Sequence, residues 1–252
     1  MTEGELQVVR AAVFVGAMLL AVVVQRAAPH ARLRGSWRVN GGLWLVNAAV
    51  VGAVCGACAC TAARWGAQRG LGLVRWAGIG PWASVPASIA ALDLVSYGWH
   101  RANHRIPVLW RFHQVHHSDP TFTVSTGIRF HPGELLLSLP LRLAAVVLLG
   151  ASVGAVLVFE ALFTVANLLE HGDIALPRRV DAVLARVLVT PAVHRRHHTR
   201  SGPARDTNFG TIFAVWDRVL TTYTPGDAAA RVDTGLPGVG SPSLASALRL
   251  PM

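Results

Sequence analysis

Five long apolar stretches constrain what this chain of 252 residues can fold into. They occupy residues 8–24, 42–63, 79–98, 135–150 and 153–169. A helix needs about 20 apolar residues to cross the hydrocarbon core of a bilayer, and lipid offers no partner for an unsatisfied backbone polar group. The last two stretches are short and the segment GASVG joins them, so we expect a helical hairpin there. The sequence predicts an all-α integral membrane protein with about four to five membrane helices or half-spans.

The composition agrees with a membrane protein. Hydrophobic residues make up 52% of the chain and charged residues only 14%, whereas soluble domains carry about a quarter charged residues. All 23 basic residues are Arg, and the net charge is +10. This excess indicates either a genomic bias in composition or attraction to anionic lipid head groups. The arginines alternate with apolar runs and form no single basic face, which argues against a nucleic-acid partner.

The three cysteines form a C-x-x-C-x-C pattern at Cys55, Cys58 and Cys60. The pattern lies inside an apolar run, and no fourth candidate ligand is close to it in the sequence. We therefore predict small, buried helix residues here and no metal site.

Two polar blocks, residues 99–134 and 170–224, separate and follow the later apolar stretches. An outside N-terminus, three crossings and then a hairpin would bring both blocks to one side, where they form a helical cap. The arginines in these blocks and in residues 25–38 predict that this side is cytoplasmic. The loop at residues 64–75, with three arginines, disagrees with that orientation.

These features divide the chain into three predicted segments. Residues 1–78 should form N-terminal membrane helices, and residues 79–224 should form a second domain that contains both polar blocks. Residues 225–252 are rich in Gly, Pro, Ser and Ala and show no periodicity, which is typical of a flexible C-terminal tail.

Histidine is concentrated in the predicted cap, because ten of the eleven histidines fall between positions 100 and 198. Eight of them have helical spacing: His100 and His104, then His113, His116 and His117, then His194, His197 and His198. Residues three and four apart share one face of a helix. In each H-x-x-H-H motif the first histidine thus shares a face with both others, while the adjacent pair diverges and can reach two different ions. We predict that the eight imidazoles bind two metal ions of a kind that suits nitrogen ligands, such as iron, zinc, copper or nickel.

Three further histidines have less regular positions. His171 follows the predicted hairpin on its return to the polar side, and His131 precedes the proline that begins the hairpin. We predict both as additional metal ligands, although His131 could instead serve as an outer hydrogen-bond donor or a helix cap. His30 stands apart, and we expect it to be a hydrogen-bonded core residue.

Several charged residues have predicted partners. Asp93 shares a helix face with His100 and is expected to accept an N–H from a ligating imidazole; Glu134 and Asp173 could do the same or be solvated. Glu160 lies within a short apolar stretch, where a carboxylate needs a partner, and Arg142 in the opposing arm is the expected one. Asn208, Trp216 and Asp217 are expected to be structural.

The histidine motifs and their neighbours together resemble one protein family. The segments DLVSYGWHRANH, LWRFHQVHHSD, RFHPGE, NLLEHGD and TPAVHRRHHTR, followed by NFG and WD, resemble the fatty acid hydroxylase/sterol desaturase superfamily of integral-membrane di-iron enzymes. The resemblance covers about residues 90 to 224 and implies that the predicted domain at residues 79–224 is a fatty acid hydroxylase-like catalytic domain. Two departures are an extra Gly-Pro before NFG and the ending TTY, which lacks the usual glycine; neither touches a predicted ligand.

The resemblance implies an oxidoreductase with two iron ions and O2 as the oxidant. The substrate would be a lipid such as a fatty acyl chain, a sterol or a carotenoid, which is hydroxylated or desaturated. Electrons would come from a separate donor, ferredoxin- or cytochrome b5-like with a reductase, because the chain has no dinucleotide, haem or iron–sulfur motif. Four arginines between the histidines are expected to meet lipid phosphates or this acidic electron donor: Arg101, Arg105, Arg195 and Arg196.

Two other functions remain as alternatives. A zinc-dependent membrane hydrolase needs only three or four ligands and usually a carboxylate base, fewer than the clustered histidines provide. A metal transporter would place its ligands in the middle of membrane spans, whereas these histidines lie at the ends of spans and in the polar blocks.

Overall fold

The computed structural model describes residues 1–55, 58–240 and 243–252, and in this part of the chain it is helical without a β-strand. The helices, in chain order, are α1 Glu3–Ala27, α2 Trp37–Cys55, α3 Cys58–Gln68, α4 Leu73–Trp76, α5 Pro81–Arg105, α6 Pro107–His117, α7 Pro132–Leu149, α8 Val153–Glu170, α9 Arg178–Leu184, α10 Pro191–His197, α11 Val215–Val219 and α12 Leu244–Arg249. Two short 3₁₀ helices span Val124–Ile128 and Pro203–Asp206. The predicted all-α class is confirmed.

Among the described residues, three helices are long and apolar enough to cross a membrane: α1, α7 and α8. Helix α1 begins at a capping box, in which the Thr2 hydroxyl accepts the Glu5 N–H and the Glu5 carboxylate accepts the Thr2 N–H. Helix α7 ends at Gly150 in the left-handed conformation (φ 72°), and the Ser152 hydroxyl caps the start of α8. The predicted hairpin with a tight turn is therefore confirmed.

The hairpin turn packs tightly against the loop before α4. A Cβ on Gly72 would lie 2.1 Å from the Cα of Gly150, and Gly72 also has a positive φ of 123°. Only glycine satisfies both requirements. Helix α8 also packs against α1, where Ala17 and Ala21 of α1 are buried together with Leu168 of α8.

The second and third apolar stretches do not each correspond to one whole helix of the structure. The second stretch is divided between α2 and α3, and residues 56 and 57 lie outside the described residues. The third forms the first part of α5, a helix that continues through Pro86 and carries His100 and His104 near its end. Of the cysteines, Cys60 is buried as predicted, whereas the side chains of Cys55 and Cys58 are not described.

The C-terminal segment differs from the predicted flexible tail. Thr234 pairs with Thr199 in an isolated bridge, and Ala247 on α12 is fully buried against Leu43 and Val115. The physical reason is a short apolar stripe: Leu244, Ala247 and Leu248 have the spacing of one helical face. This stripe is too brief to stand out from its Gly- and Pro-rich surroundings in the sequence.

Candidate metal centre

Nine histidines converge in the polar-side cap and form two adjacent groups that could each hold a metal ion. The first group is His100, His104, His113, His117 and His197, and the second is His116, His171, His194 and His198. Within each group the candidate ligand nitrogens lie within 4.8 Å of one another. The groups touch, because the imidazole rings of His117 and His198 stack with centroids 4.3 Å apart.

Each H-x-x-H-H motif supplies two histidines to one group and one histidine to the other. On α6, His113 and His117 belong to the first group and His116 to the second; on α10, His194 and the adjoining His198 belong to the second group and His197 to the first. Each motif thus places its i and i+4 imidazoles in one group and the remaining imidazole in the other, since the adjacent pair diverges on a helix. The eight histidines of helical spacing and His171 are all brought together.

In four of the nine imidazoles, a backbone carbonyl fixes which nitrogen carries the proton. Nδ1 lies near a carbonyl oxygen in four of them: His100 at 2.9 Å from Phe209, His197 at 2.7 Å from Thr207, His116 at 3.1 Å from Arg129 and His171 at 2.6 Å from Asn167. A carbonyl oxygen can only accept, so Nδ1–H must donate and Nε2 keeps its lone pair in the neutral ring. This second hydrogen bond is the usual way to orient a metal-ligating imidazole.

The Nε2 atoms have no ordinary partners within the described protein. Six are buried without any hydrogen bond: those of His100, His104, His113, His117, His197 and His198. Nε2 of His171 lies 3.0 Å from Nε2 of both His116 and His194. Because the Nδ1 atoms of His116 and His171 donate to carbonyls, their two Nε2 lone pairs face each other and repel. A cation between them removes that repulsion, so the residues fit a metal pair with nitrogen ligands.

Burial keeps these imidazoles neutral. Loss of water contact lowers the pKa of His171 to about 4 and that of His197 to about 3, against the carbonyl hydrogen bonds that raise them. Burial also lowers the pKa of His194 and His198 well below the ordinary value, and neighbouring imidazoles lower it further. A neutral imidazole is the form that binds a metal ion.

Two buried carboxylates border the groups. Glu134 Oε1 accepts from His113 Nδ1 at 2.9 Å and from the Asn103 side chain at 3.1 Å, as one of its predicted roles requires. Glu170 lies 3.8 Å from Nδ1 of both His171 and His194. Glu170 is not among the residues predicted for the site, although it adjoins His171 and ends an apolar helix, a place where a carboxylate needs a partner.

The other predicted carboxylate partners hold the scaffold and do not contact an imidazole of either group. Asp93 accepts from the backbone N–H groups of Ile212 and Phe213 and from the Trp216 indole, which corrects its predicted role. Asp173 accepts from the N–H groups of Ala31 and Leu33 and so anchors the loop after α1.

The segment after α10 is folded by two further polar side chains, as predicted. Asn208 has a positive φ of 58°, and its side chain bonds to Val193 and Thr224. Asp217 accepts from the N–H groups of Phe209 and Gly210. These bonds set the position of the Phe209 carbonyl that orients His100.

His131 does not join either metal group, which corrects the ligand prediction for that residue. Its Nδ1 accepts the N–H of Gly133 at the start of α7, and its Nε2 lies 3.1 Å from the Leu248 carbonyl. Both ring nitrogens are thus occupied, and the residue serves as the helix cap that was the alternative. His30 joins neither group: its side chain is 8% exposed and lies 3.7 Å from Asp173, and its backbone N–H donates to the Asp173 carbonyl.

Two predictions about arginines are also corrected. Glu160 pairs with Arg10 on α1 at 2.8 and 3.0 Å, and not with Arg142. Arg195 is only 3% exposed, and its three guanidinium nitrogens are buried without a hydrogen-bond partner among the described residues. It is therefore not accessible to a lipid phosphate or to an electron donor.

An apolar cavity of about 140 Å³ opens beside both groups. His100, His113, His116, His171 and His194 form its inner end, and Val95, Trp99, Leu135 and Phe163 are among its apolar walls. Such walls admit a hydrocarbon chain and exclude bulk water from the imidazoles.

The fold and the site together define a helical protein with candidate membrane spans and nine histidines in two groups that could each hold a metal ion. The family model described as fatty acid hydroxylase matches residues 85–222, which include all nine histidines. The chain belongs to the fatty acid hydroxylase family.

Curated relatives match the same region. The ornithine lipid hydroxylase OlsE of Rhizobium tropici is 32% identical over 143 residues, which cover 56% of this chain and 42% of that protein. Alkylglycerol monooxygenase of Danio rerio is 30% identical over 149 residues, which cover 58% of this chain and 32% of that protein. Alkylglycerol monooxygenase of Homo sapiens is 28% identical over 144 residues, which cover 57% of this chain and 31% of that protein. The chain thus spans less than half of the length of these relatives. No solved structure matches the chain.

Proposed function

We propose that this protein is a membrane-embedded lipid oxygenase that uses two iron ions, O2 and electrons from a separate donor to hydroxylate, or desaturate, a C–H bond of a lipid. The observation that carries the proposal is the double group of neutral imidazoles at the end of an apolar cavity. The names of the relatives, a lipid hydroxylase and lipid monooxygenases, support the same class of reaction.

The two imidazole groups would hold one iron ion each. Bound iron would supply the redox chemistry for O2, and the overall hydroxylation consumes the C–H compound, O2, two electrons and two protons to give the alcohol and water. The first group offers five nitrogen ligands and the second offers four, and neither group contains a carboxylate. In this they differ from the Glu-rich metal sites of soluble di-iron bundles. Glu134 would orient His113 through its hydrogen bond, and Glu170, which lies 3.8 Å from His171 and His194, would balance part of the metal charge.

The remaining residues of the cavity would bind and position the lipid. Trp99, Leu135 and Phe163 present apolar surface to an acyl chain, and its burial there keeps water away from the reacting carbon. Because the electrons must reach the centre from outside, the donor, ferredoxin- or cytochrome b5-like, would dock on the polar cap.

We place the centre on the cytoplasmic side of the membrane. The loop after α1 carries Arg32 and Arg34 and bonds to Asp173, two residues after the metal-group histidine His171. That loop and the centre are therefore on one side, and arginines close to a span favour the cytoplasm.

The test is lipid profiling of cells with and without the protein under isotopically labelled O2, combined with metal analysis of the purified protein. We expect a lipid whose mass gain carries the label, and about two iron ions per chain. A His116→Ala variant, which lacks a ligand of the second group, should produce no labelled lipid. Zinc in place of iron, with lipid cleavage that needs no O2, would contradict the proposal and support a hydrolase.

A further inference from the structure

The middle of the membrane spans contains one cation that the described protein does not neutralise. Arg142 lies ten residues after Pro132 and seven before Leu149, in the interior of α7. Glu160, the acidic residue at a comparable depth on α8, already receives two bonds from Arg10, at 2.8 and 3.0 Å. Arg142 makes no hydrogen bond or ion pair with any residue of the described chain. An unpaired charge at this depth is costly and usually marks a binding site.

Arg142 lies at the junction of the metal cavity with a lateral cavity between the spans. It lines the cavity that ends at the imidazoles, and it also lines a second cavity of about 440 Å³ beside Arg10 and Glu160. Phe163 is the other residue that both cavities share. A molecule that enters from the membrane through the second cavity passes Arg142 before it reaches the metal centre.

The position of Arg142 along α7 fits an anchor at a set distance from the centre. Glu134, whose carboxylate holds His113, lies on the same helix eight residues earlier. Eight residues of α-helix span roughly 12 Å along the axis. The guanidinium group is thus near enough to hold one end of a lipid while another part of its chain lies among the imidazoles.

We propose that Arg142 binds an anionic oxygen group of the lipid, a carboxylate or a phosphate, and so determines which lipid is accepted and which carbon faces the metal centre. This inference rests on the proposed function. A guanidinium group presents two parallel N–H donors that match either oxyanion. The bound oxyanion supplies the negative charge that the span lacks, since Arg10 and Glu160 neutralise each other.

The experiment measures lipid binding to the purified, metal-loaded full chain in lipid nanodiscs. Probes are a fatty acid brominated on its acyl chain, its methyl ester, and the brominated alkyl phosphate of equal length. Bromine quenches the fluorescence of Trp99, which lines the metal cavity. A Trp99→Phe variant reports only the quenching of the other tryptophans, and this part is subtracted. The wild type should bind the acid or the phosphate roughly tenfold to hundredfold more tightly than the ester. The probe that shows this preference identifies which oxyanion the site takes.

The variants then assign the preference to one residue. Arg142→Gln should bind the acid and phosphate as weakly as the ester, whereas Arg142→Lys should keep a preference because it keeps the charge. Arg75→Gln, which removes an exposed arginine from α4, should behave as the wild type. Metal content that equals the wild type shows that each variant is folded.

Two outcomes would overturn the inference: equal binding of all three probes by the wild type, or an unchanged preference in Arg142→Gln. If the wild type still incorporates labelled oxygen into lipid in either case, only the role of Arg142 as an anchor is wrong. If the wild type prefers the anionic probes but incorporates no labelled oxygen into lipid, the proposed function is contradicted instead.

Discussion

At the scale of single residues, the hydrogen bonds to Nδ1 explain the motifs that accompany the histidines. The carbonyls that orient His116, His171 and His100 belong to Arg129, Asn167 and Phe209. These residues come from the segments RFHPGE, NLLEHGD and NFG, each of which lies outside the H-x-x-H-H motifs. The backbone carbonyls of these segments accept the Nδ1–H bonds and so fix the tautomers of the imidazoles. The segments thus contribute to the centre through their backbone as well as through their side chains.

Removing one imidazole of the centre should release metal, whereas removing His131 should not. His116→Ala deletes a nitrogen of the second group and leaves its neighbours His171 and His194 with fewer partners, so bound metal should fall well below that of the wild type. His131→Ala is the matched control, because that imidazole caps α7 outside both groups. The measurement is metal per chain by mass spectrometry. Full metal occupancy in His116→Ala would show that the ligand set is wrong.

The lowered pKa values of His171 and His197 predict how acid acts on the metal-free protein. The unfolded chain takes up protons on these residues below about pH 6.5, whereas the folded chain does so only near pH 4 and pH 3. The folded state is thus favoured above pH 6.5 and loses stability as the pH falls toward 4, by about 1.4 kcal/mol per unit of pKa difference.

This loss can be followed by tryptophan fluorescence during acid titration in detergent. Bound metal competes with protons for the same nitrogens, so the loaded protein should unfold at a lower pH than the metal-free protein. If the metal-free protein were equally stable at pH 6.5 and pH 4, the buried, neutral state of these imidazoles would be contradicted.

At the scale of elements, one carboxylate fastens the C-terminal part of the site to the helix that carries the first histidine pair. Asp93 on α5 is buried and accepts three N–H groups from residues 212 to 216, just before and within α11. His100 lies two turns further along α5 and bonds to the Phe209 carbonyl of the same segment. The segment is thus held at two points of one helix face.

Asp93→Ala should therefore destabilise the protein through lost bonds and not through a lost ligand. Each orphaned buried donor costs roughly 1–3 kcal/mol, so the free energy of unfolding should fall by several kcal/mol. Asp233→Ala, at a carboxylate that is 78% exposed, should change it little. Thermal unfolding in detergent gives the comparison, and equal stability of the two variants would rule out this role for Asp93.

How far the sequence predicted this structure depends on the range of each interaction. Helical spacing within one motif decides which imidazoles share a face, so the division of the adjacent histidines between two groups could be predicted. The partners of Asp93, Glu160 and His131 could not, because each lies far away in sequence: Trp216, Arg10 and Leu248. No local pattern in the sequence specifies such pairs.

At the scale of the whole molecule, the chain closes on itself around the polar cap. Helix α12 buries Ala247 against Leu43 of α2 and Val115 of α6, the helix that carries three of the metal-group histidines. The Leu250 carbonyl also lies 3.4 Å from the Gln114 side-chain nitrogen. The last helix thus supports the back of α6, opposite the metal groups.

A charge on the buried face of α12 should loosen this closure. Ala247→Asp places a carboxylate in a fully buried position and should cost at least about 2 kcal/mol of stability. Ala245→Asp makes the same change on the exposed face of the helix and should be nearly neutral. Hydrogen exchange of α6 reports the difference; equal protection of α6 in both variants would mean that α12 does not support it.

The division of each H-x-x-H-H motif between two groups has a consequence for how the ions load. One turn of α6 supplies nitrogens to both groups, and so does one turn of α10. An ion that enters either group freezes the backbone that presents ligands to the other, which makes the second ion bind more tightly than the first. Titration of the metal-free chain with iron should therefore be sigmoidal, with chains of zero or two ions outnumbering those with one.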